Sequence, residues 1–280
     1  MKNKRILLWA LSMAVILAIS CASEDSACAY TDRGMLLLDR GEYESAILDF
    51  TEAIRLNPNN TEAFLWRSNA HNSRGDFDLA IADLTQLIRI DPNDATAFNS
   101  RGVRHARRDD FELAIADFTQ AIRLDPNFAI AFMNRGYAHS RRGDYDLTIA
   151  DNTEAIRLDP TRAGAFIDRS YAHHRRGDFD LAIADLTQAI RLDPNNAGAF
   201  DNRGWAHFNR EEFDLAIADF TEMIRLDPNN ADGFVNRGLM HLNRWDYDLA
   251  VADFEAALRI DPNHSNARRF LESARQRMGR

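Results

Sequence analysis

Residues 163–196 read AGAFIDRSYAHHRRGDFDLAIADLTQAIRLDPNN, and the pattern of this stretch recurs on both sides of it. The seven prolines of the chain stand at 58, 92, 126, 160, 194, 228 and 262, each 34 residues after the last. A strict period of this length marks one supersecondary unit that has been copied and stacked. With each proline placed thirty-second in its unit, the frames fall at 27–60, 61–94, 95–128, 129–162, 163–196, 197–230 and 231–264.

The chemistry repeats down the columns. The fourth position is aromatic in every unit (Tyr30, Phe64, Phe98, Phe132, Phe166, Phe200, Phe234), and so is the seventeenth (Tyr43, Phe77, Phe111, Tyr145, Phe179, Phe213, Tyr247). The eighth is always glycine or serine: Gly34, Ser68, Gly102, Gly136, Ser170, Gly204, Gly238. The twentieth holds Ala46, Ala80, Ala114, Thr148, Ala182, Ala216 or Ala250, a row of small side chains suited to close helix contact. Apolar residues three and four apart on either side of the fifteenth position make each unit two helices. Gly41, Gly75, Gly143 and Gly177 mark the break, because glycine accepts the left-handed conformation that ends a helix, and the acid that follows suits the positive start of the next. Proline ends the second helix, since it lacks the N–H and drives the preceding residue out of helical geometry.

With these aromatic, glycine, alanine and proline columns in register, residues 27–264 resemble the tetratricopeptide repeat (TPR) family. The resemblance implies an all-α, right-handed superhelical solenoid of seven 34-residue helix-turn-helix repeats, with residues 265–280 as a C-terminal capping helix on which Phe270, Leu271, Ala274 and Met278 fall at helical spacing. Two columns depart from the family. Arg33, Arg67, Arg101, Arg135, Arg169, Arg203 and Arg237 stand where leucine is usual, and histidine replaces tyrosine at the eleventh position in most units.

The resemblance also implies a concave face lined by the first helices, with the second, fifth, sixth, ninth, twelfth and thirteenth positions turned toward a protein or peptide partner. In repeats four to seven these include Met133, Asn134, Tyr137, Ile167, Asp168, Tyr171, His174, Asp201, Asn202, Trp205, Phe208, Val235 and Asn236. Tyrosine and tryptophan bury much area while keeping a polar edge, and asparagine both donates to and accepts from a peptide backbone. Asn134, Asn202 and Asn236 share the sixth position and are similar to the asparagine ladder with which some members of the family grip extended peptides. Asp32, Trp66, Ser100 and Asp168 interrupt it in the other repeats. The lysine-rich carboxylate clamp of chaperone-binding members is absent, which disfavours C-terminal carboxylate ligands.

At the N terminus Met1–Arg5 is basic and Ile6–Ile19 is mostly apolar, followed by Ser20 and Cys21. This is the anatomy of an export signal over residues 1–21, with an apolar run shorter than the ~20 residues of a spanning helix. Ala18-Ile19-Ser20-Cys21 resembles a bacterial lipoprotein box, which would make Cys21 the acylated residue; cleavage without acylation and an uncleaved anchor are the alternatives. The expected location is the cell envelope, as a lipoprotein, a periplasmic protein or an anchored one. Removal of Lys2, Lys4 and Arg5 takes the formal net charge from -9 to -12, an acidic balance that argues against a nucleic-acid partner.

Several motifs have plainer readings. His71, His105, His139, His173, His207 and His241 occupy one column, but packed helices stand ~8–10 Å apart and zinc ligands ~2 Å from their ion, so equivalent histidines cannot share a metal. Arg-Gly-Asp at 74–76, 142–144 and 176–178 is the interhelix turn. The column Asp49, Asp83, Asp117, Asp151, Asp185, Asp219, Asp253 pairs with arginine, the seventh-position column being the candidate partner. No catalytic residues, metal or cofactor are assigned, because copies spread along a repeat array do not converge on one point as an active site requires. The reading is a non-catalytic adaptor, assembly factor or scaffold; a self-associating spacer is the alternative, and a metal-dependent hydrolase a remote one. The polar pair Thr148 and Asn152 marks the second helix of repeat four as the weak point of the array.

Overall fold

A computed structural model describes residues 26–279. Helix α1 spans 26–39. It is followed by α2 (Tyr43–Leu56), α3 (Thr61–Arg74), α4 (Phe77–Ile90), α5 (Ala95–Arg107), α6 (Phe111–Leu124), α7 (Ala129–Arg142) and α8 (Tyr145–Leu158). Then come α9 (Ala163–Arg176), α10 (Phe179–Leu192), α11 (Ala197–Asn209), α12 (Phe213–Leu226), α13 (Ala231–Asn243), α14 (Tyr247–Ile260) and α15 (Ser265–Arg277). The first fourteen make seven helix-turn-helix pairs on the 34-residue frames, and α15 is the extra helix expected after them. The fold is the all-α repeat that the columns imply. The helices form two compact units, divided after Ala138 within α7. The export segment and Cys21 lie outside the described residues.

Each turn inside a pair contains one residue with positive φ. Gly41, Gly75, Gly143 and Gly177 fill this place at φ of 76°, 85°, 85° and 84°. Repeats three, six and seven put Asp109, Glu211 and Trp245 there at 60°, 61° and 68°, a conformation that costs a side-chain-bearing residue of order 1 kcal/mol. The acid after the turn sits at the N-cap of the second helix without bonding its N–H groups. In the Arg-Gly-Asp turns the arginine folds back on that acid instead: Arg74 Nε lies 3.3 Å from Asp76, and Arg176 Nε 3.3 Å from Asp178.

The turn between repeats is set by the residues around the proline as much as by the proline. The preceding Asp or Asn accepts a hydrogen bond from the N–H two residues on, as in Asn93 N to Asp91 Oδ1 at 3.0 Å and Asn59 N to Asn57 Oδ1 at 3.0 Å. This is the side-chain mimic of a backbone turn. Two residues after the proline, Asn60, Asp94, Asn196 and Asn230 cap the next helix through their side chains. Arg162 occupies that place before α9 and gives no such cap.

Packing within a repeat joins the eighth position to the twenty-fourth. A Cβ built on Gly34, Gly102, Gly204 or Gly238 would lie 2.5–2.8 Å from the nearest ring carbon of Phe50, Phe118, Phe220 or Phe254. Where serine takes the eighth place, at Ser68 and Ser170, the twenty-fourth is the smaller Leu84 or Leu186. The twentieth-position alanines, such as Ala46, Ala80 and Ala216, have no exposed surface. In the second unit α15 closes the end of the array: Ala267, Leu271 and Ala274 join Val235, Leu242, Phe254 and Ala257 in one core, and the Phe270 ring lies 5.8 Å from Phe254.

The arginine column is explained by the aspartate column. Arg67 makes a bidentate pair with Asp83 (Nε–Oδ2 2.9 Å, Nη2–Oδ1 2.6 Å), its Nη1 donates to Thr51 of the preceding repeat at 2.9 Å, and its guanidinium lies 5.7 Å from the Phe64 ring centre. Arg33, Arg101, Arg169, Arg203 and Arg237 hold Asp49, Asp117, Asp185, Asp219 and Asp253 in the same way. Each eleventh-position histidine stands beside the same carboxylate, with His71 Nε2 4.0 Å from Asp83 and His173 Nε2 3.9 Å from Asp185. Burial holds His71, His105, His173 and His241 below the ordinary imidazole range, against the pull of the neighbouring aspartates. These arginines thus occupy the place usual for leucine, each tied to an aspartate at the same register, with the histidine ring beside the pair.

Candidate functional site

Adjacent first helices meet with an offset of one residue beyond the repeat. Asn134 Nδ2 donates to Asn99 Oδ1 at 2.9 Å, and Asn236 Nδ2 to Asp201 Oδ1 at 2.9 Å, each across 35 positions. Asn209 Nδ2 lies 3.0 Å from His174 Nε2 across the same interval. The amides that resemble a peptide-gripping ladder are therefore partly engaged between repeats. Asn202, by contrast, is exposed.

In the first unit Met133 and Asn134 on α7 are half-buried and Tyr137 is 42% exposed. In the second unit α9 carries half-buried Ile167, Asp168 and His174, with Tyr171 45% exposed. Helix α11 carries Asp201, Trp205 and Phe208, all half-buried. On α13 Asn236 is half-buried, but Val235 is 5% exposed and packed in the core with Leu271 of α15. That corrects its reading as a groove residue: the capping helix covers the face that position five of the last repeat would otherwise present.

Two aromatic clusters stand on these helices. Arg175 Nη1 donates to the Tyr171 hydroxyl at 2.8 Å and its guanidinium lies 5.1 Å from the Tyr145 ring and 5.7 Å from the Tyr171 ring. The two tyrosine rings meet edge-on at 6.3 Å. On α11 the Trp205 ring meets Phe208 at 5.5 Å and Phe220 at 5.7 Å, both edge-on, and Phe208 reaches Phe213 at 6.0 Å. Trp205 is thus rooted in the core and its rotamer fixed, while Tyr171 is held by a cation. Rigid aromatics of this kind lose little entropy on binding.

Two carboxylates on the same face are unusual. Burial pushes the Asp168 carboxyl up to about 6. Asp201 is raised in the same way, although hydrogen bonds from Asn236 and Trp205 oppose the shift. Sequence reasoning missed Tyr145 and Arg175, which complete the tyrosine cluster, and Asn69, Asn72, Arg104 and Arg107, which form a polar face on α3 and α5. The signal that finds them is the 35-residue offset, which pairs Arg104 with Asn69 and Arg107 with Asn72.

Comparison with known proteins agrees with the repeat geometry. The sequence profile described as tetratricopeptide repeat matches residues 31–95, 100–163, 149–197, 167–231 and 202–265. The C-terminal part of a TPR repeat-containing protein from Cytophaga hutchinsonii is similar over 86% of this chain and 99% of its own, with 18% identity and a TM-score of 0.70. A tetratricopeptide repeat protein from Parabacteroides merdae is similar over 89% of this chain and 99% of its own, with 18% identity and a TM-score of 0.66. YrrB, a TPR protein with an unusual peptide-binding site, covers 66% of this chain and is itself covered over 96%, with 22% identity and a TM-score of 0.58. No curated protein matches. The profile covers well over half of the residues, in register with the seven helix pairs, and the chain belongs to the tetratricopeptide repeat family.

Proposed function

We propose that the chain is a non-catalytic adaptor or assembly factor that binds a protein segment on the faces of its first helices. The observation that carries this reading is the pair of aromatic clusters in the second unit, where Tyr171 and Trp205 present preorganised rings beside polar groups. YrrB, similar in fold, is described as having a peptide-binding site, which supports the same use here. No reaction is part of the proposal, since each titratable column repeats one structural pair and does not assemble different groups at one point.

A photo-crosslinker at position 171, used in cells, should capture a protein partner. Alanine at Tyr171 or Trp205 should each weaken that partner's affinity by about 2 kcal/mol or more with the helical content unchanged, because hot spots are few and often aromatic. Undiminished binding by a folded Y171A/W205A double variant would refute the reading.

Export to the bacterial cell envelope, with Cys21 as an acylated N terminus, is part of the same proposal. N-terminal sequencing of the mature chain tests it: a blocked, fatty-acid-labelled Cys21 is expected, and a free N terminus at any other residue would remove the lipid anchor.

Self-association has one observation in its favour. Leu147, Leu181, Leu215 and Leu249 occupy one register of the second helices and are 49–54% exposed. Between them run ion pairs joining successive repeats, Arg176 to Asp146 at 2.6 Å and the equivalents Arg210–Asp180 and Arg244–Asp214. A mass that rises with concentration would favour the spacer over the adaptor.

A further inference from the structure

Among the described residues, six half-buried arginines hold a carboxylate, and Arg104 differs from them. Arg67, Arg101, Arg169, Arg203 and Arg237 each hold an aspartate of their own repeat, and Arg162 holds Asp159 at 2.9 Å. Arg104 on α5 meets no carboxylate among the described residues. Its Nη2 donates to Asn69 Oδ1 at 2.6 Å, and its Nε is fully buried with no hydrogen-bond partner. One turn further on, the exposed Arg107 donates from Nη1 to Asn72 Oδ1 at 3.2 Å and likewise meets no carboxylate among the described residues. Burial draws the Arg104 guanidinium below its ordinary range, Arg107 pushes in the same direction, and no acid opposes them.

An uncompensated cation in such a position is destabilising unless an anion completes it. The arrangement around it favours one. Asn69 and Asn72 lie three apart on α3, with their carbonyl oxygens engaged by the two guanidinium groups. What remains for a ligand is a set of donors: the guanidinium N–H groups other than the buried Arg104 Nε, and the two amide NH2 groups. A face of donors with two neighbouring positive charges selects an acceptor-rich, negatively charged group, and the planar guanidinium fork matches a carboxylate in two parallel bonds.

We propose that the α3–α5 face binds a carboxylate, supplied by an aspartate or glutamate side chain of a partner segment, with Arg104 and Arg107 as its ligands. The protein source rests on the adaptor reading above, but the anion site is tested apart from any natural partner. The formal net charge of -9 makes a polyanion an unfavourable occupant, whereas a single carboxylate adds little repulsion.

The test uses the purified full chain and acetylated, amidated alanine-based pentapeptides that bear either two glutamates or two glutamines, with binding followed by calorimetry. The glutamate peptide should bind about tenfold more tightly or better, as charge-assisted bidentate bonds require. R104Q and R107Q should each abolish the discrimination, and R89Q and R123Q, at exposed arginines on α4 and α6, should keep it. R104M, which removes the unpaired charge and keeps an aliphatic stem, should raise Tm by about 2 °C while losing the peptide. Equal binding of the two peptides, or discrimination that survives in R104Q, would overturn the proposal. So would a fall in Tm for R104M, which would make Arg104 a prop of the fold. A glutamine peptide with a free C-terminal carboxylate that binds as well as the glutamate peptide would overturn the side-chain assignment. Inorganic phosphate that stabilises the chain when the glutamate peptide does not would overturn the choice of carboxylate. Capture at position 171 reports on the adaptor reading alone, so the two can fail separately.

Discussion

A methyl-sized addition at Gly204 would put Cβ 2.8 Å from two ring carbons of Phe220, whose side chain is fully buried and cannot move aside. G204S should therefore cost about 2 kcal/mol in denaturant unfolding, as overpacking of a dense core does. G204S/F220L should recover most of that loss, because Ser170 with Leu186 already realises the same pair, and a double-mutant cycle would show strong coupling. Additive losses would show that the two positions do not meet. Asp168 gives a pH signature. Its folded pKa of about 6 lies above the ordinary 3.8, so the folded state binds more protons between these values, and stability falls as pH rises through that window. D168N should stabilise the chain by about 2 kcal/mol at about pH 7.5, after a discount for partial exposure, and by nothing near pH 3.5. A destabilised D168N at the higher pH would mean that the carboxylate is held by a partner. The arginine and aspartate columns were legible as a pair because seven copies state the same relation. Arg104 and Arg107 were not, since each is a single departure in one repeat and its meaning lies in a neighbour 35 residues away.

At the scale of the helix, α8 is the anomaly. Thr148 and Asn152 have no exposed surface, Asn152 Nδ2 donates to the Thr148 carbonyl at 3.0 Å, and Asn152 Oδ1 is buried without a partner. An unsatisfied buried acceptor costs ~1–3 kcal/mol. N152F should stabilise the chain by about 1–2 kcal/mol, since position 136 already carries the glycine that accompanies phenylalanine in four other repeats. Amide exchange should be faster in 145–158 than in 213–226, and equal protection of the two segments would remove α8 as the weak helix. The helices and their breaks could be read from period, glycine and proline. Asp109, Glu211 and Trp245 were harder, because a left-handed turn without glycine has no sequence mark of its own. The same holds for the side-chain turn at Asp91 and its equivalents, where proline drew the eye and the neighbouring acid does the bonding.

At the scale of the whole molecule, the fold follows from columns and the site from departures from them, which is why the helix pairs were legible and the site only in part. Val235 was assigned to a ligand face by its column, and only the placement of α15 shows that the array's own end covers it. The bond from the seventh-position arginine of repeats two to seven to the threonine of the repeat before it has a consequence for how such a gene changes length. Arg237 donates to Thr221, and Arg203 to Thr187, with the same atoms at 3.3 Å and 3.1 Å. Excision of residues 197–230 would bring Arg237 to Thr187 and restore an identical joint. Unequal recombination that gains or loses whole multiples of 34 residues is therefore structurally silent at the seam, whereas a crossover one codon out of phase breaks every joint it touches. The length of such an array can therefore change by single repeats while the register of these joints stays fixed.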